Sequence, residues 1–214
     1  MSITMYRRNL KYSRVKNLYK FASQKMNTVF TVESSLEFDT CFHLEYTSKI
    51  VQFEAQPVGY KYQFEDKTLP YTPDFKMIDV DNVETFVEVK PLCKTSDLDF
   101  KARFKQKQAA ALELGTSLVL ITENQIRVNP VLNNLKLLHR YSGLQEFSPL
   151  QLKLLTLVRS NGFLTVLQIS EHLYLSLSEL MASVIGLISH GALLTDLSKG
   201  NFGMQSRVWV GHEQ

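Results

Sequence analysis

An α/β chain of mixed (α+β) character, built as a sheet flanked by helices and followed by a small domain of three helices and a hairpin, is what this sequence predicts. Three observations carry the prediction. Between residues 49 and 90 several runs alternate apolar and polar residues at the period of two that sets one face of a strand against a core. After a helical stretch, Ser117 to Thr122 (SLVLIT) is a short apolar run that reads as a strand buried on both faces, parallel to a neighbour across its helical crossover. Beyond Ser148 the rhythm changes, and Thr165-x-x-Gln168 and Ser176-x-x-Glu179 are capping boxes opening helices in quick succession.

Taken in order, Ser34-Ser35-Leu36-Glu37 begins a helix to about Tyr46, with Leu36, Phe38, Cys41, Phe42 and Leu44 as its apolar stripe. Glu37 has two readings there: the third-position partner of a Ser34 capping box, or a carboxylate offered to a site. Glu33, Glu45 and Glu54 read as surface carboxylates. Lys49 to Ala55, Val58 to Phe64, Tyr71 to Ile78 and Val83 to Lys90 then make four strands in a meander, the first two split by Pro57. Ser96 caps a helix from Asp97 to Leu114, with Asp97 and Asp99 in its first turn and Gly115 at its end. Lys101, Arg103, Lys105 and Lys107 scatter around that helix, because alternate positions diverge by about 200°. Most face solvent, with Lys105 or Gln106 able to reach a phosphate. Asn129 caps a further helix, with Pro130 at its first position, and Gly143 closes the domain. Helices from Pro149 to about Ser160, Val166 to Leu173 and Leu177 to His190, then a hairpin, look like a winged helix. The domains read as a basic arm over 1–32, a sheet domain over 33–146 and a winged-helix-like domain over 147–214.

The net charge of +3 conceals an asymmetry. Arg7, Arg8, Lys11, Arg14, Lys16, Lys20 and Lys25 lie in residues 1–32 with no acidic residue, and Tyr6, Tyr12, Tyr19 and Phe21 interleave with them. Cations among aromatics suit an arm laid on nucleic-acid phosphates, with Arg7, Arg8, Lys11 and Arg14 as its contacts. Residues 148–214 instead balance four basic against four acidic residues. The helix that would enter a groove there reads Leu177-Ser178-Glu179-Leu180-Met181-Ala182-Ser183-Val184-Ile185, without the Arg, Lys, Asn or Gln of a base reader. Leu175, Leu177, Leu180, Met181 and Ile185 read as surplus apolar surface for a protein partner. No run of about eighteen apolar residues offers a membrane span, and no apolar segment of signal-peptide form is present, so the reading is a cytoplasmic protein. Cys41 and Cys93 lack CxxC spacing and read as reduced thiols.

The chemistry gathers in one hairpin. Tyr71 to Ile78 and Val83 to Lys90 flank the turn-forming Asp79-Val80-Asp81-Asn82. In the second strand Glu84, Phe86, Glu88 and Lys90 share a face. With the turn centred near Asp81, residues pair when their numbers sum to 162, which sets Asp74 opposite Glu88. Opposed carboxylates have Cβ atoms about 5 Å apart and repel. A hard divalent cation would relieve them, and Lys90 adds a positive charge on the same face.

Pro73-Asp74 followed by Glu88-Val89-Lys90 resembles the PD-(D/E)xK signature of restriction-endonuclease-like nucleases. Together with Ser34-Ser35-Leu36-Glu37, Phe53-Glu54-Ala55-Gln56-Pro57, Tyr71-Thr72-Pro73-Asp74-Phe75, Val87-Glu88-Val89-Lys90-Pro91 and Asn134-Leu135-Lys136-Leu137-Leu138, it is similar to the TnsA endonuclease family over roughly residues 30–142. The resemblance implies a bacterial nuclease with Glu37, Asp74 and Glu88 as metal-ligating carboxylates and the carbonyl of Val89 as a further oxygen. It implies Mg2+ as the ion, with Mn2+ as its substitute, and Lys90 orienting water or offsetting transition-state charge. The substrate implied is double-stranded DNA at transposon ends, cut on the non-transferred strands at the 5′ ends. The implied partners are a transposase subunit and an AAA+ ATPase regulator. A stand-alone restriction or repair nuclease of the same fold, and a non-enzymatic DNA-binding scaffold, are the competing readings.

Overall fold

The computed structural model describes residues 17–143 and 146–211. The DNA contacts read for Arg7, Arg8, Lys11 and Arg14 therefore lie outside the described residues. The chain divides after Val128 into two compact units.

In the first unit, β1 (Tyr19–Ser23) and β2 (Thr28–Val32) form an antiparallel hairpin. Phe21 and Val32 are buried, and Phe21 packs edge-on against Phe38 and Phe42 of α1 (Ser35–Tyr46). The second half of the expected arm is thus a folded element, held by its apolar face. Glu45 and Lys25 tie it down. The Glu45 carboxylate accepts the Ser23 hydroxyl at 2.6 Å and the N–H groups of Gln24 and Lys25 at 2.9 and 2.8 Å, so Glu45 is a buried structural group and not the surface carboxylate expected. Lys25 Nζ donates to the carbonyls of Leu44, Thr47 and Ile50, neutralising the helix C-terminus instead of a phosphate.

β3 (Ile50–Ala55), β4 (Tyr60–Phe64), β5 (Lys67–Tyr71), β6 (Phe75–Asp79) and β7 (Glu84–Val89) follow, then α2 (Leu92–Thr95), α3 (Leu98–Glu113), β8 (Ser117–Ile121) and α4 (Glu123–Ile126). The central sheet has the order β3-β6-β7-β8. β3, β6 and β7 run antiparallel, and β8 joins β7 in parallel after the α3 crossover, as the apolar SLVLI run predicts. The expected meander does not form. β4 and β5 pair only with each other, as an inserted hairpin, and β3 pairs directly with β6. Prolines explain the break: Pro57 follows β3, and Pro73 separates β5 from β6 within what reads in sequence as a single run. Gly59 is required at the insertion, since a Cβ there would collide with the Tyr71 carbonyl oxygen. Tyr60, Tyr62, Tyr71, Phe86, Ala111 and Leu118 form one core cluster, so the hairpin and α3 cover the Phe86 face of the sheet.

The second unit contains α5 (Val131–His139), α6 (Pro149–Asn161), β9 (Phe163–Thr165), α7 (Val166–Leu173), α8 (Leu177–Ser189), β10 (Leu194–Thr195) and β11 (Arg207–Trp209). The strands form an antiparallel sheet of order β10-β11-β9. Ser148, Thr165 and Ser176 each cap their helix in a capping box. The compact units group α5 with these elements, whereas the sequence reading sets the domain boundary at 146. Its Asn134, buried, donates to the carbonyls of Leu197 and Gly200 at 2.9 and 2.8 Å and accepts the Phe202 N–H at 2.8 Å. The surplus apolar surface expected on α8 is smaller than its composition suggests, because Leu180 and Ile185 are fully buried in the core of this unit.

Candidate active site

The β6–β7 register pairs Phe75 with Val87, Lys76 with Phe86, Met77 with Thr85 and Ile78 with Glu84, every pair summing to 162 as the sequence predicts. The turn is built as its residues require. Asp79 Oδ1 accepts the N–H groups of Asp81 and Val83 at 3.0 and 2.8 Å, and Asn82 takes the left-handed conformation, φ 61°. One step beyond the ladder, the Asp74 N–H donates to the Val87 carbonyl at 3.0 Å, and the Glu88 charge acts on the Asp74 carboxyl. β6 has ended there, so the Val89 N–H has no strand partner on that side and donates to Asp74 Oδ2 at 2.7 Å instead.

Glu88 is buried yet richly partnered. The Tyr71 hydroxyl donates to its Oε2, while Lys90 and Lys107 place their ammonium groups 3.8 and 3.7 Å from its Oε1. Lys107 also lies over the Tyr71 ring, 3.9 Å from the centroid, and Tyr60 donates its hydroxyl to the Lys107 carbonyl at 2.9 Å. Lys90 reaches over Phe100 of α3 at 5.7 Å. The electrostatics follow from this packing. Burial, then the charges of Glu88 and Glu37, push the Asp74 carboxyl well above its ordinary value, against the pull of the Val89 N–H and Lys90. Burial lowers the Lys107 ammonium, and Glu88 partly restores it. Burial and Glu88 raise the Tyr71 hydroxyl, so it stays protonated and donates.

Glu37 is bound at the start of α1 beside the Ser34 cap, without the full capping box that Ser148, Thr165 and Ser176 form. Its Oε1 accepts the Ser34 hydroxyl at 2.7 Å, its Oε2 accepts the Glu33 N–H at 3.0 Å, and its own N–H donates to Ser34 Oγ at 3.1 Å. It is nonetheless close enough for its charge to act on Asp74. Among the described residues, no three His, Cys, Asp or Glu side chains are gathered as a metal cage. Asp74 and Glu88 come together, while Glu37 contributes through its field. Asp74 and Glu88 are the carboxylates here that could hold a divalent cation together with waters and substrate phosphates. Adjoining Asp74, Gln56 (φ 50°) donates its N–H to the Asp74 carbonyl at 2.9 Å. Its buried side-chain amide has no hydrogen-bond partner among the described residues.

Lys107 and Tyr71 are the site residues that sequence reasoning passes over. For Lys107 a signal exists: Phe104, Lys107 and Ala111 recur at helical spacing, placing a lysine on the buried stripe of α3. Tyr71 carries none beyond its place three residues before Asp74. Lys105, expected to reach a phosphate, is exposed on α3 and makes none of these contacts.

Residues 47–123, which span β3 to the start of α4 and include Asp74, Glu88, Lys90 and Lys107, match the family model of the TnsA-like endonuclease N-terminal domain. The mixed sheet flanked by helices fits a restriction-endonuclease-like core. No curated protein matches the chain. Among the described residues, no helix is long and apolar enough to cross a membrane.

Proposed function

We infer, from the match of residues 47–123 to the TnsA-like endonuclease N-terminal family model, that this chain is a metal-dependent DNA endonuclease acting in cut-and-paste transposition. The single observation that carries the reading is the juxtaposition of Asp74, Glu88 and Lys90 at the end of the β6–β7 ladder, with a second cation from α3 beside them. Asp74, Glu88 and the Val89 carbonyl are the residues that would hold Mg2+ or Mn2+, with Glu37 as an outer carboxylate; the ion supplies acidity to a bound water and charge neutralisation at the scissile phosphate.

The protein's own groups do the rest. Lys90 orients the attacking water through its ammonium. Lys107, held over Tyr71, faces the negative charge that develops on the phosphate oxygens. Tyr71 keeps Glu88 turned toward the site through its hydroxyl. Water oxygen attacks phosphorus, the bond to the 3′ oxygen breaks, and that oxygen leaves with a proton, giving a 3′-hydroxyl and a 5′-phosphate. The substrate is duplex DNA at transposon ends, cut on the non-transferred strand, with a transposase subunit joining the other ends and an AAA+ ATPase choosing the target. The second unit, whose three capped helices and three-stranded sheet follow the order of a winged helix, supports assembly of that complex.

End-containing duplex, Mg2+ and a partner transposase test the reading, with the nick mapped on each strand. Asp74→Ala and Lys90→Ala should abolish nicking while the fold survives. Undiminished nicking by purified Asp74→Ala would overturn the assignment.

A further inference from the structure

The even charge balance of the second unit conceals a local imbalance. A cleft of about 1440 Å³ opens between the end of α6, β9 and the β10–β11 connection. Among the described residues its walls include Arg159, Lys199 and Arg207, three of the four cations in residues 148–214, and a single acid, Asp196. That acid is already satisfied: its Oδ1 accepts the Ser198 N–H and hydroxyl at 2.9 and 2.6 Å, and Lys199 lies 3.6 Å from its Oδ2. Among the described residues, neither Arg159 nor Arg207 forms an ion pair.

The sheet supplies the other half of the surface. Directly paired residues share a face, so Phe163, Trp209 and Leu194 lie together on the side opposite the buried Leu164 and Val208. Phe163 is 55% exposed, an unusual state for an aromatic in a strand, and the Arg207 guanidinium stacks on its ring at 5.2 Å. An aromatic ring open to solvent, backed by arginine and flanked by two further cations, is the surface on which an unpaired base stacks while neighbouring phosphates meet the cations.

We propose that this cleft binds a DNA strand with unpaired bases, Phe163 stacking a base and Arg159, Lys199 and Arg207 contacting phosphates. Duplex DNA is the weaker ligand, because its paired bases cannot reach Phe163. A protein partner of acidic character is the competing occupant, and the open ring argues against it: an acidic peptide needs the cations but not a face to stack on. The proposal concerns binding alone and stands whether or not residues 47–123 cut DNA.

The test uses the full chain in the Asp74→Ala background without metal, so that probes stay intact. Fluorescence anisotropy with a labelled oligothymidylate, a duplex of equal length and an acidic Glu-Asp peptide is followed across a salt series. Phe163→Ala should weaken oligothymidylate binding about five- to hundredfold and duplex binding little. Arg207→Gln and Arg159→Gln should each lower the salt slope by about 0.7 for a single strand. Both sites are exposed, and thermal melting confirms that the variants fold. Unchanged oligothymidylate affinity in Phe163→Ala, or a loss confined to the acidic peptide, would overturn the proposal.

Discussion

Replacing Asp74 by asparagine keeps the side chain's shape and an oxygen for the Val89 N–H while removing one negative charge. Continued by one step, the β6–β7 register would set Asp74 opposite Glu88, where Cβ atoms lie about 5 Å apart. Two unit charges at about 5 Å in an effective dielectric of about 20 repel by about 3 kcal/mol. Lys90 and Lys107, 3.8 and 3.7 Å from Glu88, offset part of this, which leaves a gain of about 1–2 kcal/mol for Asp74→Asn in metal-free protein. At about 2–4 °C per kcal/mol for a chain of this length, Tm should rise by about 2–8 °C at neutral pH. The sign with pH follows from the direction of the Asp74 shift. Its folded pKa is raised above the ordinary 3.8, so the protonated form is the one folding favours. The associated stability is fully present below 3.8 and is lost as pH rises through the raised value. The advantage of Asp74→Asn should therefore vanish in acid and grow toward neutrality, and Mg2+ should narrow it by stabilising the parent alone. Thermal melts across pH, with chelator and then with Mg2+, measure all three effects. A lower Tm for Asp74→Asn at neutral pH, or an advantage independent of pH, would refute the reasoning that burial and the neighbouring Glu88 and Glu37 disfavour the charged form of Asp74.

Three further outcomes are expected. Lys107→Met, which keeps the aliphatic stem over Tyr71 but removes the cation, should slow nicking about tenfold or more with the fold intact, and Tyr71→Phe should cost about 1–3 kcal/mol by leaving a buried carboxylate oxygen short of a donor. Nicking by Lys107→Met at the parental rate would remove Lys107 from the site. Deleting residues 1–16 should weaken duplex binding and lower its salt slope by about 0.9 for each of Arg7, Arg8, Lys11 and Arg14 that meets a phosphate. The deletion must stop there, because Phe21 and Lys25 are structural. Equal slopes for the intact and shortened proteins would deny the arm a role in binding.

Local physics was enough to reveal much of this molecule. The period of two in Val83 to Lys90, the Asp79 to Asn82 turn and the resulting register depend on neighbours in sequence, so the pairing of Phe75 to Ile78 with Glu84 to Val87 was readable without coordinates. The same holds for the helix caps at Ser34, Ser148, Thr165 and Ser176, each satisfied by a side chain three residues away or less. What only the tertiary structure decided concerns residues brought together across long separations. Lys107 and Tyr71 lie 19 and 17 positions from Glu88 and reach it only because α3 and the inserted β4–β5 hairpin pack on the same sheet face. Glu45 is buried because β1 and β2 fold back onto α1, which no pattern within α1 announces. α5 joins the second unit through Asn134 and carbonyls more than sixty residues on. Charge balance, summed along the chain, likewise hid the cleft where Arg159, Lys199 and Arg207 converge, since a one-dimensional sum cannot register which cations share a wall in space.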